Sequence, residues 1–215
     1  MNHNAAAFID DAIATGAILF GEFTTKAGRK SPYFFNAGRF CTGAGLARLG
    51  QHYADALLAS GVAFDGLFGP AYKGIPLAAS IGIALAAKGR DVPYSFNRKE
   101  AKDHGEGGSV VGAALKGRLV IVDDVISAGT SVRESTAILE AAGAQVAAVL
   151  IALDRMEQGP SGRSAVDEVR QTLGVPVIAV ATLDDLIARL EQDPARTREL
   201  DAIRSYREAY GVRRN

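Results

Sequence analysis

Asp123 and Asp124 stand side by side at the end of an aliphatic run in "RLVIVDDVISAGTS", residues 118 to 131, and a short loop of small and hydroxyl-bearing residues follows them. In an open parallel sheet, ligands bind beyond the carboxyl ends of the strands, and a loop that opens a helix there offers unpaired backbone N–H groups to an anion. Ser127, Ala128 and Gly129 let a phosphate approach that backbone, and Thr130 and Ser131 add hydroxyl donors. The carboxylates repel a phosphate, so they suit the ribose hydroxyls beside it, or positive charge developing on a sugar ring. A single Asp at such a place commonly caps the next helix. Two adjacent acids before Ser-Ala-Gly-Thr favour a ligand site, with sugar plus phosphate as the implied ligand. No Lys follows the glycine as in a Walker A loop, and the spacing is not that of a dinucleotide fingerprint.

Two further stretches carry charge in suggestive places. "GPAYKGIP", residues 69 to 76, reads as a second strand-end loop where Lys73 and the backbone around Tyr72 and Gly74 can hold an anion, although alone it would pass for a Gly-Pro turn with a surface lysine. "NRKEAKDHGEGGSV", residues 97 to 110, brings Arg98, Lys99, Lys102 and His104, balanced by Glu100, Asp103 and Glu106. It has no apolar anchor and three glycines, Gly105, Gly107 and Gly108. It reads as a long mobile loop, and such loops in a compact domain are usually functional or disordered.

Positioning these groups requires a sheet. From about residue 62, the aliphatic runs "FDGLFGP", "VPYSFN", "RLVIVDD", "QVAAVLIALD" and "VPVIAVA" alternate with helical patterns, which is the signature of parallel strands joined by crossover helices. Helices are expected over "IPLAASIGIALAAKG", over "SVRESTAILEAAGA", and over "AVDEVRQTLG" behind a Ser164 cap, with two more between about Leu183 and Tyr210. The expected fold is α/β, a mostly parallel sheet with helices on both faces. Residues 1 to 60 differ: a helix near Ala5 to Ala14, two short runs around "KAGRK", and a helix from about Gly45 to Ser60. This segment should lie over the sheet as an extra layer within a single domain spanning 1 to 215.

Composition narrows the class. Lys plus Arg and Asp plus Glu each number 24, so net charge gives no reason to expect nucleic acid or a membrane surface as partner. Cys41 is the only cysteine, which rules out an internal disulfide framework and fits a reducing cytosol. The N-terminus lacks a basic leading segment, and "IPLAASIGIALAA" is too short to span a bilayer.

Taken together, "VIVDDVISAGT", "TTKAGRKSPYFFNAG", "GPAYKGIPLA", "FNRKEAKDHGEGG" and "LIALDR" resemble the type I phosphoribosyltransferases over almost the whole chain, and within that family the branch that acts on orotate. The resemblance implies transfer of the phosphoribosyl group of 5-phosphoribosyl 1-diphosphate to orotate in pyrimidine biosynthesis. Mg²⁺ would be carried mainly by the substrate, with no metal site on the protein. It implies that Asp123 and Asp124 bind the ribose hydroxyls, that Ser127, Ala128, Gly129, Thr130 and Ser131 hold the 5′-phosphate, and that Val125 and Ile126 belong to the same phosphoribosyl diphosphate site. Lys26, Tyr72 and Lys73 would contact the phosphoribosyl diphosphate. Phe34 and Phe35 would wall the orotate ring, with Ser127 and Arg155 at its polar edges and residues 1 to 60 as a hood. Without the motif around them, the two phenylalanines would read as core and Arg155 as a surface ion pair. The family also implies a cytoplasmic homodimer whose loop 97–110 acts in trans, with Arg98, Lys99, Lys102 and His104 on the neighbour's diphosphate. Lys102, His104 and Asp124 would then be the catalytic group, with His104 as proton donor or charge partner.

Three other readings compete. A purine phosphoribosyltransferase would share the cradle and the acids, but "SPYFFNAG" and the Lys-rich loop speak against it. A regulator that senses the same ligand would need a DNA-binding surface, and neither an added helix-turn-helix nor a basic patch is present in the sequence. A dinucleotide-dependent oxidoreductase fails on "GAGLAR", where Arg48 stands in place of the third glycine.

Overall fold

A computed structural model describes residues 3–25, 27–102 and 108–212; the side chains of residues 101, 102 and 108 are not described. Helix α1 (His3–Ala14) leads into an antiparallel hairpin, β1 (Ile18–Thr24) and β2 (Lys30–Phe35), and then helix α2 (Gly43–Ala59). The main sheet begins with β3 (Gly66–Gly69), α3 (Gly74–Ala87), β4 (Tyr94–Lys102) and β5 (Gly108–Gly112). It continues through β6 (Arg118–Val122), α4 (Thr130–Ala141), β7 (Gln145–Asp154), α5 (Ala165–Leu173) and β8 (Val177–Thr182). Helices α6 (Leu183–Leu190) and α7 (Thr197–Tyr210) close the chain.

The sheet runs in the order β5-β4-β3-β6-β7-β8. Strands β4, β3, β6, β7 and β8 are parallel, and β5 is antiparallel at the edge. Alternation along the central strands sorts their side chains to two cores. Leu67, Val120, Val122, Leu150 and Ala152 face a core shared with α1, α2, α3, α6 and α7. Phe68, Leu119, Ile121, Val149 and Ile151 face one shared with α4 and α5. Both faces are therefore covered, as expected of a parallel sheet. The helix ends follow local chemistry: the Ser164 hydroxyl accepts from Asp167 N–H at the start of α5, and Thr182 and Asp185 form a reciprocal capping box on α6.

One element departs from the sequence reading. The stretch expected to be loop from residue 97 onward continues β4 as far as Lys102 and returns as β5, with Ser95 opposite Gly112, Phe96 opposite Val111 and Asn97 opposite Val110. Asn97 to Lys102 show no apolar alternation because this part of the hairpin has no core to face. Backbone pairing at its two ends and polar contacts to the β3–α3 loop hold it, and neither leaves an apolar period in the sequence. The first 60 residues sit as an added layer in that α1 and α2 contribute to the same core as one face of the sheet, while β1 and β2 form a separate two-stranded sheet.

Candidate active site

Strands β3 and β6 are neighbours, yet the chain leaves them in opposite directions, β3 toward β4 and β6 toward β7. A crevice at such a reversal, beyond the carboxyl ends of the strands, is where open α/β sheets bind ligands. Lys73 and Asp124, from the two loops that flank it, meet across the crevice with Nζ 2.6 Å from Oδ2. The Asp124 side chain is only 6% exposed and that of Lys73 57%. A buried carboxylate is costly unless paired, and Lys73 supplies the counter-charge from solvent. The other Asp124 oxygen accepts from Val125 N–H at 3.0 Å.

Asp123 is differently placed. Its Oδ1 accepts from Asp124 N–H at 2.8 Å, and Ser131 also hydrogen-bonds to its side chain. Burial, together with the neighbouring charge of Asp124, raises its pKa to about 6 against the pull of those two donors. The backbone under both acids is rigid: Asp123 N–H donates to Leu150 O at 3.0 Å, Ala152 N–H donates to Asp124 O at 2.9 Å, and Tyr53 Oη of α2 donates to Asp123 O at 3.0 Å. The carboxylates are thus extensions of the sheet rather than passengers on a loop. Tyr53, which the sequence reading did not single out, lies far off in the chain within an ordinary helical pattern, so no local signal marks it.

Beyond the acids, Ser127 and Ala128 are exposed, and Gly129 turns the chain into α4 with φ +67. No side chain caps that end of α4, so its first N–H groups remain available to an anion. The loop between β3 and α3 is closed as tightly as backbone allows: a Cβ on Gly69 would lie 2.2 Å from the Gly74 carbonyl oxygen. Ala71 N–H donates to Asn97 Oδ1 at 2.8 Å, and the Lys99 ammonium lies 5.1 Å from the centre of the exposed Tyr72 ring. The polar stem of the β4–β5 hairpin therefore touches this loop within the same chain, and Arg98 is half-buried on that stem.

The base side is less uniform. Phe34 is 44% exposed, with its ring centre 5.5 Å from that of Phe23. Phe35 is 5% exposed and packs against Phe8 at 6.1 Å. The expected two-ring wall is therefore corrected to one ring, because adjacent side chains on a strand point to opposite faces and only one of the pair can look outward. Arg155 follows β7, and its guanidinium donates to Glu157 Oε1 and Ser31 Oγ while lying over the Tyr33 ring. Lys26 and His104 lie outside the described residues, as does the side chain of Lys102.

Among the described residues, no group of three or more His, Cys, Asp or Glu side chains converges to hold a metal ion. The acid pair offers oxygen donors of the hard kind that Mg²⁺ takes, but one carboxylate is already paired with Lys73. The donor set fits an ion that brings most of its own ligands.

Comparison with known proteins gives a consistent result. Residues 45–185 match the family described as phosphoribosyl transferase domain. The orotate phosphoribosyltransferase of Thiobacillus denitrificans is 62% identical over 212 residues, covering 99% of this chain and 100% of that protein. That of Cellvibrio japonicus is 61% identical over 206 residues, covering 95% and 96%. The crystal structure of the orotate phosphoribosyltransferase of Francisella tularensis superposes with a TM-score of 0.85 at 41% identity, covering 95% of this chain and 99% of that one.

Proposed function

The chain belongs to the phosphoribosyltransferase family, and we infer that it transfers the 5-phosphoribosyl group from 5-phosphoribosyl 1-diphosphate to orotate. The products are orotidine 5′-monophosphate and diphosphate, in pyrimidine biosynthesis. The observation that supports this reading most is the Lys73–Asp124 pair across the β3–β6 crevice, beside an uncapped helix end: a cation, two acids and an anion cradle in the order a phosphorylated sugar diphosphate requires.

In the reaction the bond from ribose C1 to the diphosphate oxygen breaks, the electron pair leaves with diphosphate, and a ring nitrogen of orotate forms the new bond to C1 as its N–H proton passes to solvent or to the departing diphosphate. The sugar passes through oxocarbenium character, so no protein nucleophile is needed. Catalysis is positioning plus charge stabilisation. The loop 125–131 and the end of α4 hold the 5′-phosphate through backbone N–H and hydroxyl groups. Asp123 and Asp124 take the ribose hydroxyls, and their negative charge faces a ring that is becoming positive. Asp124 exchanges part of its pairing with Lys73 for the ribose, which frees the lysine ammonium for the departing diphosphate.

Asp123 and Asp124 would orient a substrate that arrives with Mg²⁺, and the ion would supply charge neutralisation for the leaving group. Lys26, Tyr72, Lys73, Arg98, Lys99, Lys102 and His104 complete the diphosphate site, with His104 as proton donor or charge partner. Phe34, Ser127 and Arg155 receive the orotate ring and its polar edges beneath the N-terminal layer. The working unit is a cytoplasmic homodimer in which segment 97–110 of one subunit covers the partner's cleft and excludes water from the cation-like sugar.

The test follows orotate consumption by ultraviolet absorbance with phosphoribosyl diphosphate and Mg²⁺, with hypoxanthine, adenine and uracil assayed in parallel by product chromatography. Turnover confined to orotate is expected. Turnover of a purine instead would reassign the base, and binding of phosphoribosyl diphosphate without any turnover would favour a regulator.

A further inference from the structure

We propose that Glu157 and Tyr206 are positioning residues for Arg155, so that the C-terminal helix α7 sets how tightly the base is held. The proposal rests on the reading above that Arg155 faces orotate, and it extends the base site to a helix that does not border the crevice.

Among the described residues, the guanidinium of Arg155 makes its hydrogen bonds through its Nε–Nη2 edge. Its Nε donates to Glu157 Oε1 at 2.8 Å, and its Nη2 donates to that same oxygen at 2.5 Å and to Ser31 Oγ at 3.1 Å. Its plane is set by Tyr33, whose ring centre lies 4.5 Å from the guanidinium carbon. Among the described residues, Nη1 has no hydrogen-bond partner. A guanidinium is a rigid fork of five N–H donors, so fixing the Nε–Nη2 edge and the plane determines where the remaining edge points. That edge is what a planar, anionic ring such as orotate would meet.

Glu157 cannot hold this geometry alone, because it sits two residues further along the same loop. Tyr206 of α7 steadies it, donating from Oη to Glu157 Oε1 at 3.0 Å from a ring that is 5% exposed. The backbone of the loop is fastened from the same side: Gln158 N–H donates to Tyr210 O at 2.8 Å, and Val212 N–H donates to Met156 O at 2.9 Å. Arg29, from the β1–β2 turn, donates to Gln158 O at 2.7 Å and lies over the Tyr210 ring at 4.9 Å. Met156 has φ +52, a left-handed conformation that a non-glycine residue keeps only when its surroundings enforce it. A loop held by this many contacts, yet leaving one guanidinium edge open, is organised around that edge.

The test compares steady-state KM values for the two substrates in three variants. Tyr206→Phe removes one hydroxyl and keeps the ring, which packs on Tyr210 with centroids 5.0 Å apart. It should raise the KM for orotate roughly three- to tenfold, with the KM for phosphoribosyl diphosphate and the melting temperature nearly unchanged. Glu157→Ala should raise the orotate KM by roughly tenfold or more, and Glu157→Gln, which keeps an acceptor, should recover part of the loss. Arg155→Gln tests the premise, and adding Tyr206→Phe to it should cause no further rise. If Arg155→Gln left the orotate KM at the wild-type value, the base-site reading would fail. If it raised the KM while Tyr206→Phe and Glu157→Ala did not, the base site would stand and the positioning role would be overturned. Parallel losses for both substrates with a lowered melting temperature would likewise overturn it, in favour of general support of the fold.

Discussion

At the ends of β3 and β6, the groups assigned to the ribose and its 5′-phosphate, with Tyr72 and Lys73 beside them, come from two short stretches, 69–74 and 123–131, each continuous in sequence. Across from them, Ser31, Tyr33, Phe34, Arg155, Glu157 and Tyr206 are drawn from the N-terminal hairpin, the end of β7 and the C-terminal helix. On the proposed reading, the first half would handle what every phosphoribosyl donor carries, a phosphate and a ribose, with backbone N–H groups and carboxylates fixed to sheet strands. The second half would tell one base from another. Its donors are side chains whose directions depend on contacts made elsewhere in the fold. Damage to the first half should therefore abolish chemistry with any base, and damage to the second should change which base, or how much of it, is needed.

The sharpest way to break this division is Asp124→Asn. The substitution keeps shape but removes the charge facing the developing cation, and kcat should fall by about 10³-fold with the fold intact. The partner Lys73 is well exposed, so solvent can take over its charge. A near-wild-type rate, measured with orotate at saturation, would remove Asp124 from the mechanism. The same variant tests the subunit arrangement. Mixed with Lys102→Ala chains, it should regain part of the activity, because a hybrid dimer can assemble one cleft from an intact acid pair and an intact partner segment. No recovery after verified subunit exchange would mean that each chain serves its own cleft.

A second comparison lies within the base half. Phe35→Ala empties a core position against Phe8 and should cost about 3–4 kcal/mol of stability, while the folded fraction keeps a near-normal orotate KM. Phe34→Ala, on the exposed side of the same strand, should cost about 0.5 kcal/mol or less in denaturant titrations and yet raise the orotate KM. The reverse outcome would place the wall on the wrong ring.

The same contrast decides how much could be read before the structure. The strand "QVAAVLIALD" coincides with β7 because it is buried on both faces and its apolar run is continuous. The acids and the loop behind them were legible because strand end, carboxylates and helix start are adjacent in the chain. For Phe34 and Phe35 the sequence carries the signal in its strand alternation, by which only one of two adjacent rings can face a ligand. The start of β4 lies within the expected strand "VPYSFN", but its continuation from Asn97 to Lys102 is polar and offers no periodicity to read. Glu157 and Tyr206 offered less still: a loop acid and a helix tyrosine acquire meaning only when α7 folds back on the end of β7.

The phosphoribosyl half also stores an electrostatic cost that the base half avoids by pairing Arg155 with Glu157. Burial and the charge of Asp124 hold Asp123 near a pKa of about 6 in the folded chain, against 3.8 as its ordinary value. Between these two values the folded chain keeps a proton that the unfolded chain releases, so stability falls as pH rises through that window, by at most about 3 kcal/mol once both are passed. Asp123→Asn should flatten this decline, making the unliganded variant more stable than wild type at pH 7.5 and no more stable at pH 4. Urea titrations at the two pH values measure the difference. An unchanged pH slope would mean that Asp123 is solvated well enough to ionise freely, and that the ribose finds a relaxed carboxylate instead of one whose charge its hydroxyls must help to carry.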